Sequence, residues 1–265
     1  KSPGVVFTHD KGKSHSSGKL LYSARVIPQR GSWLDFEFDA KDVLYVRIDR
    51  RRKFHATVLL RALGFTEDQL LKYFYQFEKL DLSDVKPGED PEAQSYYRVF
   101  DPEIILDQRP QLPIADPKTG EVLVKSGQRI NKRLLKKLEN AKVKRLNATL
   151  HELKGRIVAC TIYKKAESEE ILVPCNTPLT AELLTTLVEN GIQEVELLHI
   201  GPQNTGSTLR DTLTLDKITS PEQALIELYK NMKPGDPPTL EAAQMMLQNF
   251  FFKGERFSLS KVGRL

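Results

Sequence analysis

The chain has 265 residues, 40% of them apolar and 28% charged, and a net charge of +5. That length holds one or two domains with real cores, and the composition is ordinary for a soluble globular protein. No apolar run approaches the ~20 residues of a membrane span, the polar, basic N-terminus lacks the apolar segment of a signal peptide, and the only cysteines, Cys160 and Cys175, fit a reducing cytoplasm better than a disulfide framework, although a single bridge stays open.

Charge is unevenly spread. Residues 1–75 carry a net +6, residues 76–204 a net −2 and residues 205–265 a net +1. A polyanion would meet the two ends of the sequence first.

In chain order, residues 5–48 read as short strands. Val5-Val6-Phe7, Leu20-Leu21-Tyr22, Ala24-Arg25-Val26-Ile27, the segment around Trp33 and Val43-Leu44-Tyr45-Val46 are β-rich runs split by polar turns. Between Arg30 and Asp39, Trp33, Phe36 and Phe38 are separated by acidic residues, the alternation of a half-buried strand. Arg47 and Arg50-Arg51-Arg52-Lys53 then place five cations within seven positions. If extended, that run sends successive side chains to opposite sides, so Arg50 with Arg52, or Arg51 with Lys53, would act together, the others pairing with Asp35, Asp39, Asp42 or Asp49. Phe54 to Leu63 has helical spacing and stops at Gly64. Thr66 starts the next helix.

Residues 81–117 are rich in proline and acid, which reads as a boundary with an extended entry. A repeat follows, 121–147 against 170–196, at a constant offset of 49: Val122-Leu123-Val124 returns as Ile171-Leu172-Val173, Asn131 as Thr180, and Leu134, Leu135 and Leu138 as Leu183, Leu184 and Leu187. Each copy reads as strand, helix, strand, and the pair is expected to bury their apolar faces against each other, with Gly155 to Tyr163 as a linking strand. The first copy has a basic face (Lys132, Arg133, Lys136, Lys137) where the second carries Glu182 and Glu189. That face is either simply solvated or a docking surface for a regulator or nucleic acid. Finally, Ser220-Pro221 and Thr239 start two helices, with Leu225, Leu228 and Tyr229 on one apolar face and Ala242, Met245, Met246, Phe250 and Phe251 on the other. The fold class is α+β: a discontinuous domain of short strands and helices, 1–75 with 205–265, interrupted by a small α+β insert at 76–204.

Chemistry-bearing motifs are sparse. The five histidines are scattered, neither cysteine has CxxC spacing, and HExxH, GxSxG, P-loop and Rossmann patterns do not occur. Catalytic residues and metal ligands are therefore expected to be none. Trp33 has two readings: a core anchor, or a platform beside an Arg cluster on which a base stacks.

Ser2-Pro3-Gly4-Val5, Lys11-Gly12-Lys13 with His15-Ser16-Ser17-Gly18-Lys19, the Trp33 segment, the Arg cluster, Met232-Lys233-Pro234-Gly235-Asp236-Pro237-Pro238-Thr239 and Val262-Gly263-Arg264 are ordered runs. Together they resemble the β subunit of bacterial DNA-directed RNA polymerase. The resemblance covers roughly residues 1–75 and 205–265 and implies the β2 lobe, one wall of the downstream DNA channel, with a lineage-specific insertion between. The chain would then be a fragment of a nucleotidyltransferase that takes part in transcription, carrying no catalytic residue itself. The Mg²⁺ of the complete enzyme would sit on another subunit.

The resemblance also implies site roles. Trp33 would stack on an unpaired non-template base, and Asp49 and Arg50 would belong to the neighbourhood that lines the DNA channel; the charge of the run adds Arg51, Arg52 and Lys53 as expected DNA contacts. Lys1, where the family usually has Arg, would lie close to a pocket for a flipped guanine, Arg264 would also contact DNA, and Ser258 replaces an expected acid, which puts guanine selectivity in doubt. Implied partners are downstream DNA and the non-template strand, the rest of β, β′, α, ω and sigma, and a regulator through the insert. The location would be cytoplasmic, with no membrane contact.

Overall fold

The computed structural model describes residues 3–10, 18–164, 169–201 and 206–261. In chain order these form β1 (Gly4–His9), β2 (Tyr22–Ile27), β3 (Leu34–Phe38), β4 (Leu44–Ile48), β5 (Phe54–His55), α1 (Ala56–Ala62), α2 (Glu67–Phe74), β6 (Gln76–Asp81), β7 (Tyr96–Val99), α3 (Pro102–Ile105), β8 (Ile114–Ala115), β9 (Val122–Val124), α4 (Lys132–Asn140), β10 (Arg145–Ala148), α5 (Leu150–Leu153), β11 (Ile162–Tyr163), β12 (Ile171–Val173), α6 (Ala181–Glu189), β13 (Glu194–His199), α7 (Thr208–Leu215), α8 (Pro221–Met232) and α9 (Leu240–Phe251). The mixture is α+β. The chain divides into two compact units, Lys1–Leu70 with Thr205–Leu265, and Leu71–Asn204.

In the first unit β1 to β5 form an antiparallel meander. Its inner face, with Val46 and Ile48, packs on α1, α8 and α9 through Leu59, Leu228 and Met246. Polar bonds join the two sequence segments as well. Thr57 Oγ1 donates to Asp216 Oδ2 at 2.6 Å, the Leu44 amide to Thr212 Oγ1 at 3.0 Å, and buried Arg61 to the Thr219 carbonyl at 3.3 Å. The backbone of Ser258 pairs with that of Arg30. There Gly31 (φ +116°) is obligatory, because a Cβ would lie 2.6 Å from the Phe257 ring.

Capping explains where α2, α8 and α9 begin. Thr66 Oγ1 accepts from the Gln69 amide while Gln69 Oε1 accepts from the Thr66 amide, a closed capping box. Ser220 and Thr239 accept from the amides three residues on. Gln223 reaches back to the Thr219 amide instead of to Ser220. Two expectations are corrected here. Phe54 and His55 do not belong to the first helix, because they pair with Val46 and Tyr45. Met245 points to solvent at 63% exposure, and the buried stripe of α9 is Ala243, Met246 and Leu247.

The second unit is built on a four-stranded antiparallel sheet ordered β10-β7-β6-β13. The proline-rich stretch 81–117 is therefore not an extended entry. It contributes β7, and its Asp-Pro pairs start helical turns, with Asp90 and Asp101 accepting from the Glu92 and Glu103 amides. Gly155 to Tyr163 is likewise no continuous strand: Ile157 and Val158 make isolated bridges to Pro178 and Leu197.

Two halves of this unit share one plan. Asp101 caps α3 and Thr149 caps α5. Asp107 (φ 66°) and Gly155 (φ 82°) turn the chain in the left-handed region. Their amides donate to the carbonyls of Ile130 and Leu179 at 2.8 and 2.9 Å. The hairpins β8–β9 and β11–β12 share one irregular register. Asn131 and Thr180 cap α4 and α6, which end before left-handed Lys142 and Gly191. The offset is 48 as far as Ile114 and Ile162 and 49 from Val122 and Ile171 onward. The duplicated plan thus starts at Asp101 and Thr149, upstream of what a gapless comparison reaches. The halves do not share one apolar interface: Ile130, Leu138 and Val124 belong to one cluster, and Leu179, Leu187 and Val173 to another. Each hairpin closes over its own helix, so each half completes a small core of its own.

Candidate nucleic-acid interface

Strand alternation sets the outer face of the β1–β5 sheet. Leu34, Phe36, Val46 and Phe54 turn inward, so Arg25, Asp35, Glu37, Arg47, Tyr45 and His55 turn outward. They form two rows of directly opposed residues, Arg25–Asp35–Arg47 and Ser23–Glu37–Tyr45–His55. Arg25 grips Asp35 with two donors, and that pairing raises the Arg25 pKa against the opposing effect of burial. Arg47 Nε lies 2.5 Å from Glu37. Burial, then the charge of Asp39, pushes the Tyr45 phenol up. The Tyr45 and His55 rings lie 5.2 Å apart between centroids, tilted by 33°, and Lys53 Nζ sits 4.3 Å from the Tyr45 centroid.

Trp33 stands at one end of this face, half-buried and outside the apolar core. Its amide donates to Asp49 Oδ1 at 2.8 Å, and its carbonyl accepts from the Asp49 amide at 3.0 Å. Asp49 (φ 50°) and Arg50 (φ 59°) are both left-handed, and the Arg51 amide donates to the Ile48 carbonyl at 3.0 Å. This is the signature of a type I′ turn. The turn brings the Arg50 guanidinium to 5.6 Å from the Trp33 ring centroid, while Arg25 lies at 5.5 Å.

The cation run is therefore not an extended strand with alternating faces. Arg50 goes to Trp33, Lys53 to Tyr45, and Arg51 to the Met232 carbonyl at the end of α8, where a cation complements the helix dipole. Nor do the named acids pair with it. Asp35 takes Arg25, Asp42 takes Lys19, Asp39 accepts from the Lys41 and Val43 amides, and Asp49 holds Trp33. Arg50, Arg52 and Lys53 have no ion-pair partner among the described residues. Lys1 and Arg264 lie outside the described residues. Sequence reasoning missed Arg25, Tyr45 and His55. Pairing the alternating strands in antiparallel register would have put all three, with Arg47, on the face of Trp33.

In the second unit, Glu78 is buried between Arg98 (Nε, 3.1 Å) and Arg156 (Nη2, 2.5 Å). His199 is held below the ordinary imidazole value, mainly by burial. The basic residues of α4 are exposed. Among the described residues no three His, Cys, Asp or Glu side chains are grouped to hold a metal ion, and no helix is long and apolar enough to cross a membrane.

An outer sheet face with a half-exposed indole and unpaired cations has the chemistry to hold a phosphate backbone and stack a base. Comparison with known proteins bears on whose surface this is. Residues 1–97 match the family model described as RNA polymerase Rpb2, domain 2. Over its full length the chain is 48% identical to a DNA-directed RNA polymerase subunit beta from Sorangium cellulosum. It is 46% identical to those from Desulfotalea psychrophila and Syntrophobacter fumaroxidans. It spans about a fifth of the length of these curated relatives, 18–19%. The chain belongs to the family of bacterial DNA-directed RNA polymerase β subunits and corresponds to one segment of them. The alignments run for 264–266 residues, so these relatives carry the second unit too.

Proposed function

We propose that the first unit is the lobe of an RNA polymerase β subunit that lines the downstream DNA channel and contacts the non-template strand and duplex during transcription. The second unit is then a domain inserted into that lobe. The observation that carries this reading is Trp33, clamped by a strained turn at the end of a polar sheet face, between guanidiniums that match a phosphate backbone. Trp33 stacks on an unpaired base, for ~1–3 kcal/mol. Arg50, Arg52 and Lys53 supply salt-dependent affinity. Asp49 and Arg51 position the turn, and Lys1 and Arg264, outside the described residues, are further DNA contacts of this reading. The segment performs no chemical step: nucleotidyl transfer and its Mg²⁺ belong to other parts of a cytoplasmic assembly of β, β′, α, ω and sigma. The test is Trp33→Ala in the complete polymerase. The reading expects a shorter open-complex lifetime, and an unchanged lifetime contradicts it.

A second reading rests on the exposed basic face of α4, which suits docking of a transcription regulator. Deleting residues 78–203 separates the two. Basal transcription that survives while one factor's effect disappears assigns docking to the second unit.

A further inference from the structure

A cleft of about 970 Å³ opens in the first unit beside Tyr45 and His55, at the end of the outer sheet face away from Trp33, and its far wall comes from the α7–α8 connection and the end of α8. Five of its lining side chains are Lys or Arg, against Asp216 and Glu227. Two of these charges are already committed. Arg51 caps α8, and buried Asp216 is held by Thr57 and by the Ile218 amide. Arg52, Lys53, Lys217 and Lys230 remain without an ion-pair partner among the described residues and line the same cleft as the Tyr45 and His55 rings. Asn231 fixes the rim by donating to the Arg52 carbonyl at 3.1 Å, and its buried Oδ1 has no protein hydrogen-bond partner.

Solvation of scattered surface lysines does not require them to converge. These four come from two segments far apart in sequence and line one cleft with a close aromatic pair, the combination of cations and rings that single-strand binders use. We propose that this cleft is a second nucleotide subsite. It takes one unpaired nucleotide of a DNA strand, with the base on the Tyr45–His55 shelf and the flanking phosphates on Lys217, Lys230 and Arg52. The proposal rests on the nucleic-acid reading of the sheet face and extends it beyond Trp33, so that one strand is held at two points.

The test uses fluorescence anisotropy of a fluorescein-labelled 15-nucleotide oligothymidylate titrated with the 265-residue chain across a salt series. Lys217 and Lys230 are exposed, so the double variant K217A/K230A leaves the core intact. Losing two phosphate contacts weakens binding about 25-fold at 0.1 M salt and makes the salt slope shallower by about 1.4, at ~0.7 log unit per contact. Tyr45→Leu weakens binding with the slope unchanged. Trp33→Ala is the control for the first site. If K217A/K230A binds like the parent while Trp33→Ala weakens binding, the cleft proposal fails alone. If neither variant weakens binding, the reading of the whole face fails with it.

Discussion

The Asp49 side chain does two separable jobs, and a short substitution series tells them apart. Its Oδ1 accepts from the Trp33 amide at 2.8 Å, and its backbone sits at φ 50°. Asn keeps both an acceptor and a tolerance of the left-handed region, so Asp49→Asn changes stability by less than about 0.5 kcal/mol. Gly removes the acceptor but adopts positive φ freely, so Asp49→Gly costs about 1 kcal/mol, the worth of one hydrogen bond. Ala removes the acceptor and also strains the backbone by a further ~1–2 kcal/mol, giving about 2–3 kcal/mol in total. Trp33 is the chain's only tryptophan, so urea unfolding followed by its emission reports on the first unit. The predicted order of midpoints is Asp ≈ Asn > Gly > Ala. Equal losses for Gly and Ala would show that the left-handed backbone is not what the side chain at 49 must tolerate.

Three further outcomes concern the second unit. Glu78→Gln leaves two arginines facing a neutral amide and costs about 3–5 kcal/mol, seen as faster amide hydrogen exchange throughout β6 and β13. The ring of His199 titrates below the ordinary imidazole value of about 6.5, which its C2-proton shift against pH measures directly. Its folded-state pKa is depressed, so its contribution to stability is complete above that ordinary value. As pH falls below it, the unfolded chain takes the proton first and stability drops, levelling off beneath the folded pKa. Leu138→Ala and Leu187→Ala occupy matched, fully buried positions of the two halves. Each costs about 2–5 kcal/mol, and because each sits in a separate core, protection is lost first in its own half.

Legibility followed how local each signal is. The caps at Thr66, Asn131, Thr180, Ser220 and Thr239 depend on side chains within four residues, and each is readable as written. The composition of 81–117 misled because proline and aspartate mark helix starts as readily as linkers, and only the strand pairing of β7 with β6 and β10 decides between them. The fan of the Arg50–Lys53 cations was hidden for a related reason. Two consecutive left-handed residues without glycine are rare, so nothing local announces the turn, and the anchor of Arg51 is the carbonyl of Met232, distant in sequence. The upstream part of the duplicated plan escaped because one extra residue between Tyr163 and Ile171 shifts the offset. Of the site, Trp33 and the cation run were visible as composition. Arg25, Tyr45 and His55 joined them only through antiparallel register.

The most direct measurement is the emission of Trp33 while single-stranded DNA is added to the chain at low salt. Stacking on a base predicts saturable quenching whose midpoint moves to higher DNA concentration as salt rises. Binding detected by anisotropy with unaltered tryptophan emission would contradict the role given to this ring.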